Sequence, residues 1–561
     1  MSLFGAIQQS ASGLQASQVG LQVVGNNIAN ANTPGYIRQR METVPSIATR
    51  AGGLLLGHGV RVTGVTQMID KALAERMFAA STAAAGGETL DRAYNRLEQL
   101  VGSIDGGGLS GKLSTFNNAL SDLTTQPADR SLRDFVVMQG DSLAKSIRSV
   151  QSQAIDAQNE FDADLGGVAE NINSQLQRIA RLNVQISTIE GGRTLGSDAT
   201  GLREQRYTAI EELSKYVDVN LQEQSTGSIS VFNGGDYLVA EGIAREVVAT
   251  YSPDVDGLQV RIKQTDAPLS GAGGILGAAV TARSEIFGGF LKDLDKLASG
   301  LIMAMNEIHS QGQGRIGFTD VLGTNVGKTG IPLKDAGLPV MPTNGTFQIS
   351  VLDDTGAVTS KTNIAVRALN QLGDSTFDSV ARDINAIDGL TASITSDGRL
   401  QIIADPQVSF TFGEDTSSFL SAAGINTFFT GSGASDIAVN KTVRDNSDLL
   451  AISKSGIGQD TDVLTQLVGL IDRPTPLLDG NSVRNILDAN TASLAQQINL
   501  QKSLTAGAND LYSTLQTQHL GITGVNIDEE SLKLITYNRA FQASARVIST
   551  ASEMLDLLTK L

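Results

Sequence analysis

The chain opens on a heptad repeat. Ile7, Leu14, Leu21 and Ile28 recur every seven residues, and Leu3, Ser10, Ser17 and Val24 fill the complementary register. This is the a/d pattern of a helix with a narrow apolar seam, thinned in its middle by small polar residues. The same pattern closes the sequence. Leu534, Phe541, Ile548 and Leu555 share one register, and Tyr537, Ser544, Ala551 and Leu558 share the other. Asp528, Glu529 and Glu530 stand where the first turn of this second helix is expected. A lone helix cannot bury such a seam. Either each end packs on its neighbouring globular region, or the two ends pack together and against copies of themselves. The second reading is favoured because no charged side chain precedes Arg38. The non-seam face of the first helix then carries Gln, Ser, Asn, Ala and Gly, which suits a protein interface.

Between the ends the pattern is helical, then alternating, then helical again. Residues 66–102 read as a helix with Leu90, Tyr94, Leu97 and Val101 on one face. A short helix follows near 113–123. A long one runs over about 131–189, with Leu165, Ile172, Ile179 and Ile186 in line and Phe161, Val168, Leu182 and Ile189 beside them. Gly140 and Gly166-Gly167 are the points where it would kink or break. Alternation begins at Val217. Ser228–Phe232, Asn233-Gly234-Gly235 and Tyr237–Val239 read as a hairpin, and Leu258–Ile262 as a further strand. A helix returns over 279–309. Strands at 346–351 and 400–403 flank a helix near 377–387, and helices resume after Asp462.

The fold class expected is α+β and multidomain. It comprises a terminal α-helical coiled coil, an elongated helical-bundle domain and two β-rich inserted domains. The boundaries expected are 1–64 with 519–561 for the terminal coiled coil, and 65–216, 275–318 and 446–518 for the bundle. The β-rich insertions are expected at 217–274 and 319–445.

Composition narrows the function. At 561 residues the chain is too long for one core. Aromatic residues are 4% of it, with no Trp, which argues against a small-molecule pocket. Its 42 basic and 59 acidic residues give a net charge of −17. That balance, with no dense Lys/Arg run, excludes nucleic acid and disfavours an anionic membrane surface. Cysteine is absent, which removes disulfides, thiolate metal sites and thiol nucleophiles. His58, His309 and His519 show no metal-binding spacing. No basic n-region and apolar h-region mark a cleavable signal peptide. Gln8, Gln9, Gln15, Gln18, Gln22, Asn26 and Asn27 interrupt the first helix as a membrane span. Gly106–Lys112 imitates a phosphate-binding loop but has Leu113 where a hydroxyl is needed, and Gly323–Thr329 is one residue short. Glu211-Glu212 and Glu529-Glu530 read as solvated or helix-terminal charges. No catalytic residue, cofactor or metal is expected.

The first helix ends in Asn26-Asn27-Ile28-Ala29-Asn30-Ala31-Asn32-Thr33-Pro34-Gly35-Tyr36. Pro34 and Gly35 stop the helix and favour a turn. This run resembles the N-terminal signature of the flagellar rod, hook and hook-associated axial proteins, carried by Asn26, Asn27, Asn30, Asn32, Thr33, Pro34, Gly35 and Tyr36. Tyr537-Asn538-Arg539-Ala540-Phe541-Gln542-Ala543-Ser544-Ala545 through Leu558 resembles the matching C-terminal signature. Leu213–Val219, Phe419–Gly431 and Ala434–Asn440 are similar to stretches of the hook-associated members, and the long central helices weigh against a hook protein. Glu204-Gln205-Arg206-Tyr207 departs from the family's commoner Asp-Gln-Arg-Asp.

The resemblance implies a non-enzymatic structural subunit of the bacterial flagellum at the junction between hook and filament. The alternative is another axial component, of the hook or distal rod. A hydrolase or adhesin grafted onto the frame would need a catalytic constellation, and none is visible. The resemblance further implies export, unfolded and uncleaved, through the flagellar type III apparatus to the cell exterior. The partners it implies are copies of the chain in an annular layer, hook protein, hook-associated protein 3, and an export chaperone at the C-terminal helix. The assembly interface implied comprises Leu3, Ile7, Leu14, Leu21, Val24, Ile28, Leu534, Tyr537, Phe541, Ile548, Leu555 and Leu558.

Overall fold

The structure, a computed structural model, describes residues 3–51, 54–102, 108–191, 199–253, 257–269, 272–371, 373–474, 478 and 480–559. The Leu558 side chain and the Gly106-Gly107 part of the phosphate-loop look-alike lie outside the described residues. The chain divides into two compact units. The first comprises Met1–Ala93, Glu160–Ser284 and Asn499–Leu561, and the second Tyr94–Asn159 and Glu285–Ile498.

The first unit contains the terminal helices, Leu3–Ala29 and Ile527–Thr559. It is not helical throughout its terminal part. Strand Gln39–Pro45 pairs antiparallel with Val60–Gln67, from Gln39 opposite Gln67, with a register shift after Glu42. Thr66 and Gln67 therefore belong to a strand, and the following helix starts only at Lys71. Short strands rich in Thr, Arg and Gln carry too little apolar alternation to announce themselves.

The long helix Arg130–Glu190 is unbroken over 61 residues. Gly140 and Gly166-Gly167 do not interrupt it. In the first unit its residues Leu165, Ile172, Ile179 and Ile186 have no exposed surface, whereas Ile189 is half exposed. The buried face is not wholly apolar. Asn173 accepts from the Val247 amide and donates to the Val247 carbonyl. Asn183 does the same with Ile229. Each Asn thus satisfies the backbone of a strand laid against the helix. Those strands form a four-stranded sheet, Asn220–Glu223, Ile229–Asn233, Asp236–Ala240 and Ile243–Ala244, and a three-stranded one, Val247–Ser252, Gly257–Ile262 and Ala267–Pro268. The first two strands of the expected hairpin pair Val231 with Val239 and turn at Gly234-Gly235.

The second unit has a helical core and a β-rich core. In the helical core the Phe428 ring lies where a Cβ on Gly140 would sit, 2.8 Å away, so Gly140 gives that ring its place against the helix. The helix expected over 279–309 is three pieces: Gly274–Thr281, a π-helical turn Ala282–Phe287, and Gly288–His309. In the β-rich core Gly345–Leu352 lies between Val358–Val366 and Ser409–Asp415, and Leu400–Ala404 between Asp320–Leu322 and Leu390–Ile394. The few aromatics concentrate here, with Phe347, Phe377, Phe410, Phe412 and Phe419 fully buried.

The stretch Phe419–Asn440 joins the two cores, with Phe419, Leu420, Ala423 and Ile425 in the β-rich one and Phe428, Phe429, Ile437 and Val439 in the helical one. Helix Phe419–Ala423 stops at Gly424, whose φ is +71°. Asn426 then donates to the carbonyls of Ser310 and Gly312 at 3.0 and 2.8 Å, in the turn that follows Gly288–His309. His309 is fully buried. Its Nδ1 lies 2.8 Å from the Asn426 carbonyl and its Nε2 accepts from the Ala451 amide at 3.0 Å. Burial lowers its pKa to about 4. The look-alike at Gly323–Thr329 opens no helix, and Gly323 and Gly327 fit against the Ala423 carbonyl and the Phe377 ring.

Candidate assembly interface at the chain ends

The two terminal helices pack antiparallel along a line of small residues. A Cβ on Gly20 would fall 2.8 Å from the Tyr537 ring, and one on Gly13 would fall 3.1 Å from Ser544 Oγ. One heptad further, Asn27 bonds Glu530. Gly13, Gly20 and Asn27 are thus matched in reverse order with Ser544, Tyr537 and Glu530. The deepest positions of the first helix are Ala16, Ser17, Gly20, Val23, Val24 and Asn27. Val24 is buried, whereas Leu3, Ile7, Leu14, Leu21 and Ile28 are half-buried. On the C-terminal helix Leu534, Tyr537, Phe541, Ile548 and Leu555 are half-buried and Ala551 is buried. The leucines dominated the sequence pattern, while glycine gives no hydrophobic signal. The spacing of Gly13, Gly20 and Asn27 was the available clue.

The signature turn is held by its own chemistry. The Thr33 carbonyl accepts from the Tyr36 amide, with Pro34 second and Gly35 third at φ +79°. This is the residue order of a type II turn. Asn30 donates to the Asn26 carbonyl at 2.9 Å and accepts from Thr33 Oγ1 at 3.3 Å. Asn32, Thr33, Pro34 and Gly35 are exposed.

Asn27 is the centre of the arrangement, and it has no exposed surface. Its Nδ2 donates to the Gln39 carbonyl at 2.9 Å and to Glu530 Oε2 at 3.0 Å. Its Oδ1 accepts from the Gln39 amide at 3.0 Å and from the Tyr36 hydroxyl at 2.8 Å. Both donors and both lone pairs of the amide are in use. Glu530 also accepts from Arg38 Nε at 2.9 Å and from Lys533 at 3.0 Å, while Arg38 Nη2 reaches Glu529 at 2.7 Å. Burial works against the Glu530 charge, but donors from Asn27, Arg38 and Lys533 outweigh it and hold the carboxyl below its ordinary value. Burial, with the charges of Glu204 and Glu530, pushes the Tyr36 phenol up to about 12. The phenol therefore keeps its proton and donates. Lys533, off both heptad registers in sequence, is part of this network.

Outside the contact the C-terminal helix carries a second stripe. Ala540, Ala543, Val547, Thr550, Met554 and Leu557 follow a three-four spacing and are all exposed, Leu557 by 66%. Phe4 on the N-terminal helix is 72% exposed. Among the described residues no group of three or more His, Asp or Glu side chains is placed to hold a metal ion. Likewise, no described helix is long and apolar enough to cross a membrane.

The chain is similar to known proteins. Residues 94–325 match the family described as flagellar hook-associated protein FlgK helical domain. Residues 516–561 match the flagellar basal body rod FlgEFG protein C-terminal family, and residues 7–36 the flagella basal body rod protein family. The chain is 25% identical over 567 residues to flagellar hook-associated protein 1 of Salmonella typhimurium, covering 98% of this chain and 99% of that relative. It is 27% identical over 353 residues to the protein of the same name in Bacillus subtilis, covering 55% and 68%. A solved structure described as the flagellar hook junction protein FlgK from Burkholderia pseudomallei superposes with a TM-score of 0.48 at 16% identity, covering 79% of this chain and 99% of that one.

Proposed function

Because the chain belongs to the flagellar hook-associated protein 1 family of axial proteins, we propose that it is a non-enzymatic structural subunit joining hook to filament. The observation that carries this reading is the terminal helix pair. The pair is closed at one end by the Asn27–Glu530 network and bears an exposed stripe of Val547, Met554 and Leu557. A stripe of this kind is matched to copies of the same chain in an annular layer. We assign Leu3, Ile7, Leu14, Leu21, Val24, Ile28, Leu534, Tyr537, Phe541, Ile548 and Leu555 to the assembly interface, with Leu558 continuing their register. Hook protein on one side and hook-associated protein 3 on the other are the neighbours this role requires. An export chaperone would cover the C-terminal helix before assembly, and the mature site is extracellular. Electron microscopy of a deletion strain tests the role. Hooks without filaments, restored by the intact gene, are expected. Normal filaments in the deletion strain would overturn it, and truncated hooks would point to a hook or rod component instead.

A further inference from the structure

We propose that a cleft in the second unit holds a compact oxyanion at Arg133 and Arg315. The cleft encloses about 420 Å³ and is walled by Pro127, Arg133, Arg315, Ile452, Asp460 and the adjoining loop. Arg133 has no exposed surface. Its Nε donates to the Pro127 carbonyl at 3.0 Å and its Nη1 to the Leu450 carbonyl at 2.9 Å. Its Nη2 is buried without a hydrogen-bond partner. Two carbonyl bonds do not require a permanent cation, yet a guanidinium cannot give up its charge. Burial lowers its pKa to about 10, and the nearby Arg315 charge acts in the same direction.

Of the carboxylates around the cleft, Asp448 is paired with Arg315 itself, and Asp460 is bonded within its own loop. Asp448 lies 3.2 Å from Arg315 and 3.9 Å from Arg130. Asp460 accepts from the amides of Lys454, Ser455 and Asp462 and from the Ser453 hydroxyl, so its charge is spent on its own loop. Arg133 is therefore a buried cation with no carboxylate in hydrogen-bond contact, beside an Arg315 that shares Asp448 with Arg130, and a buried charge so placed is costly. An oxyanion entering the cleft meets Arg315, whose side chain is 43% exposed, and draws on the buried charge of Arg133 behind it. A planar guanidinium suits the paired oxygens of a phosphate or carboxylate.

The test uses the purified full chain, melted in sodium phosphate, sodium acetate and sodium chloride at matched ionic strength. Phosphate is expected to raise the melting temperature saturably, by about 2–5 °C at excess over its dissociation constant. Its ³¹P line should broaden on addition of protein. Arg315→Gln should lose both effects. Arg133→Met should lose them too, and if that variant fails to fold, Arg315→Gln and the ³¹P line still decide. A response to phosphate alone assigns a phosphoryl group, and equal responses to phosphate and acetate assign any compact oxyanion. If neither exceeds chloride, or if Arg315→Gln keeps the saturable rise, the proposal fails.

Discussion

Replacing Asn27 by Asp changes one atom group at the centre of the terminal pair. The carboxylate can still accept from the Gln39 amide and the Tyr36 hydroxyl. It cannot donate, so the Gln39 carbonyl and Glu530 Oε2 lose their bonds, and a second negative charge is set against a buried one. One buried acceptor left unpaired costs about 1–3 kcal/mol, and one charge-assisted bond about 1.5–3 kcal/mol. The sum, about 2.5–6 kcal/mol, corresponds to a loss of roughly seventyfold or more in local opening equilibrium. Hydrogen exchange read by mass spectrometry is the direct assay. Peptides covering 23–41 and 526–537 should lose protection together, although they are far apart in sequence. The introduced carboxyl, buried beside Glu530, has its pKa raised. Protection should therefore recover partly as pH falls from about 7.5 to 5, because the protonated form regains a donor. Asn27→Ala, with nothing to protonate, should show no such recovery. Unchanged exchange at both ends in Asn27→Asp would refute the coupling, as would parent ends that exchange at unfolded rates.

Three further outcomes are expected. Ile172→Ala, at a position with no exposed surface, should cost about 2–5 kcal/mol by cavity formation, read as a lower denaturant midpoint for the first unit. His309 is held at about pKa 4 against an unfolded value of 6.5, so its contribution is complete above pH 6.5 and is lost as pH falls towards 4. The loss amounts to about 3 kcal/mol, and His309→Gln should unfold with a flatter acid dependence than the parent. Phe541→Asp places a charge on the half-buried seam and, on the function proposed above, should weaken capture by an export chaperone and prevent filament attachment even at raised secretion. Exposed Ser552→Ala should do neither, whereas Lys533→Ala is unsuitable as a control because Lys533 bonds Glu530.

What the sequence made legible was whatever has a period. The Leu165–Ile186 face, the Gly234-Gly235 hairpin and the registers of both terminal helices stand out because their apolar spacing is regular. What it hid was decided by partners far along the chain. Gly20 reads as a helix weakness until Tyr537 is laid on it, and Gly140 reads as a break until Phe428 occupies the space. Asn173 and Asn183 look like polar interruptions of a buried face, yet each satisfies a strand that the alternating pattern could not place. The Asn-rich signature was read as a helix stop. Its central residue turns out to be a four-bond junction, because Arg38 and Glu530 are invisible as partners from either end alone.

Asn27 and Glu530 are 503 residues apart. Closing a loop of that length costs roughly 5–6 kcal/mol in chain entropy before any contact forms. It also cannot begin until residue 530 has left the ribosome. Throughout synthesis the first helix is therefore a finished segment waiting for its counterpart, and the first unit is the last part of the molecule able to close. That delay gives the nascent chain a period in which its two ends are free and it can be threaded lengthwise, and the same closure makes the transition difficult to reverse once both ends have met.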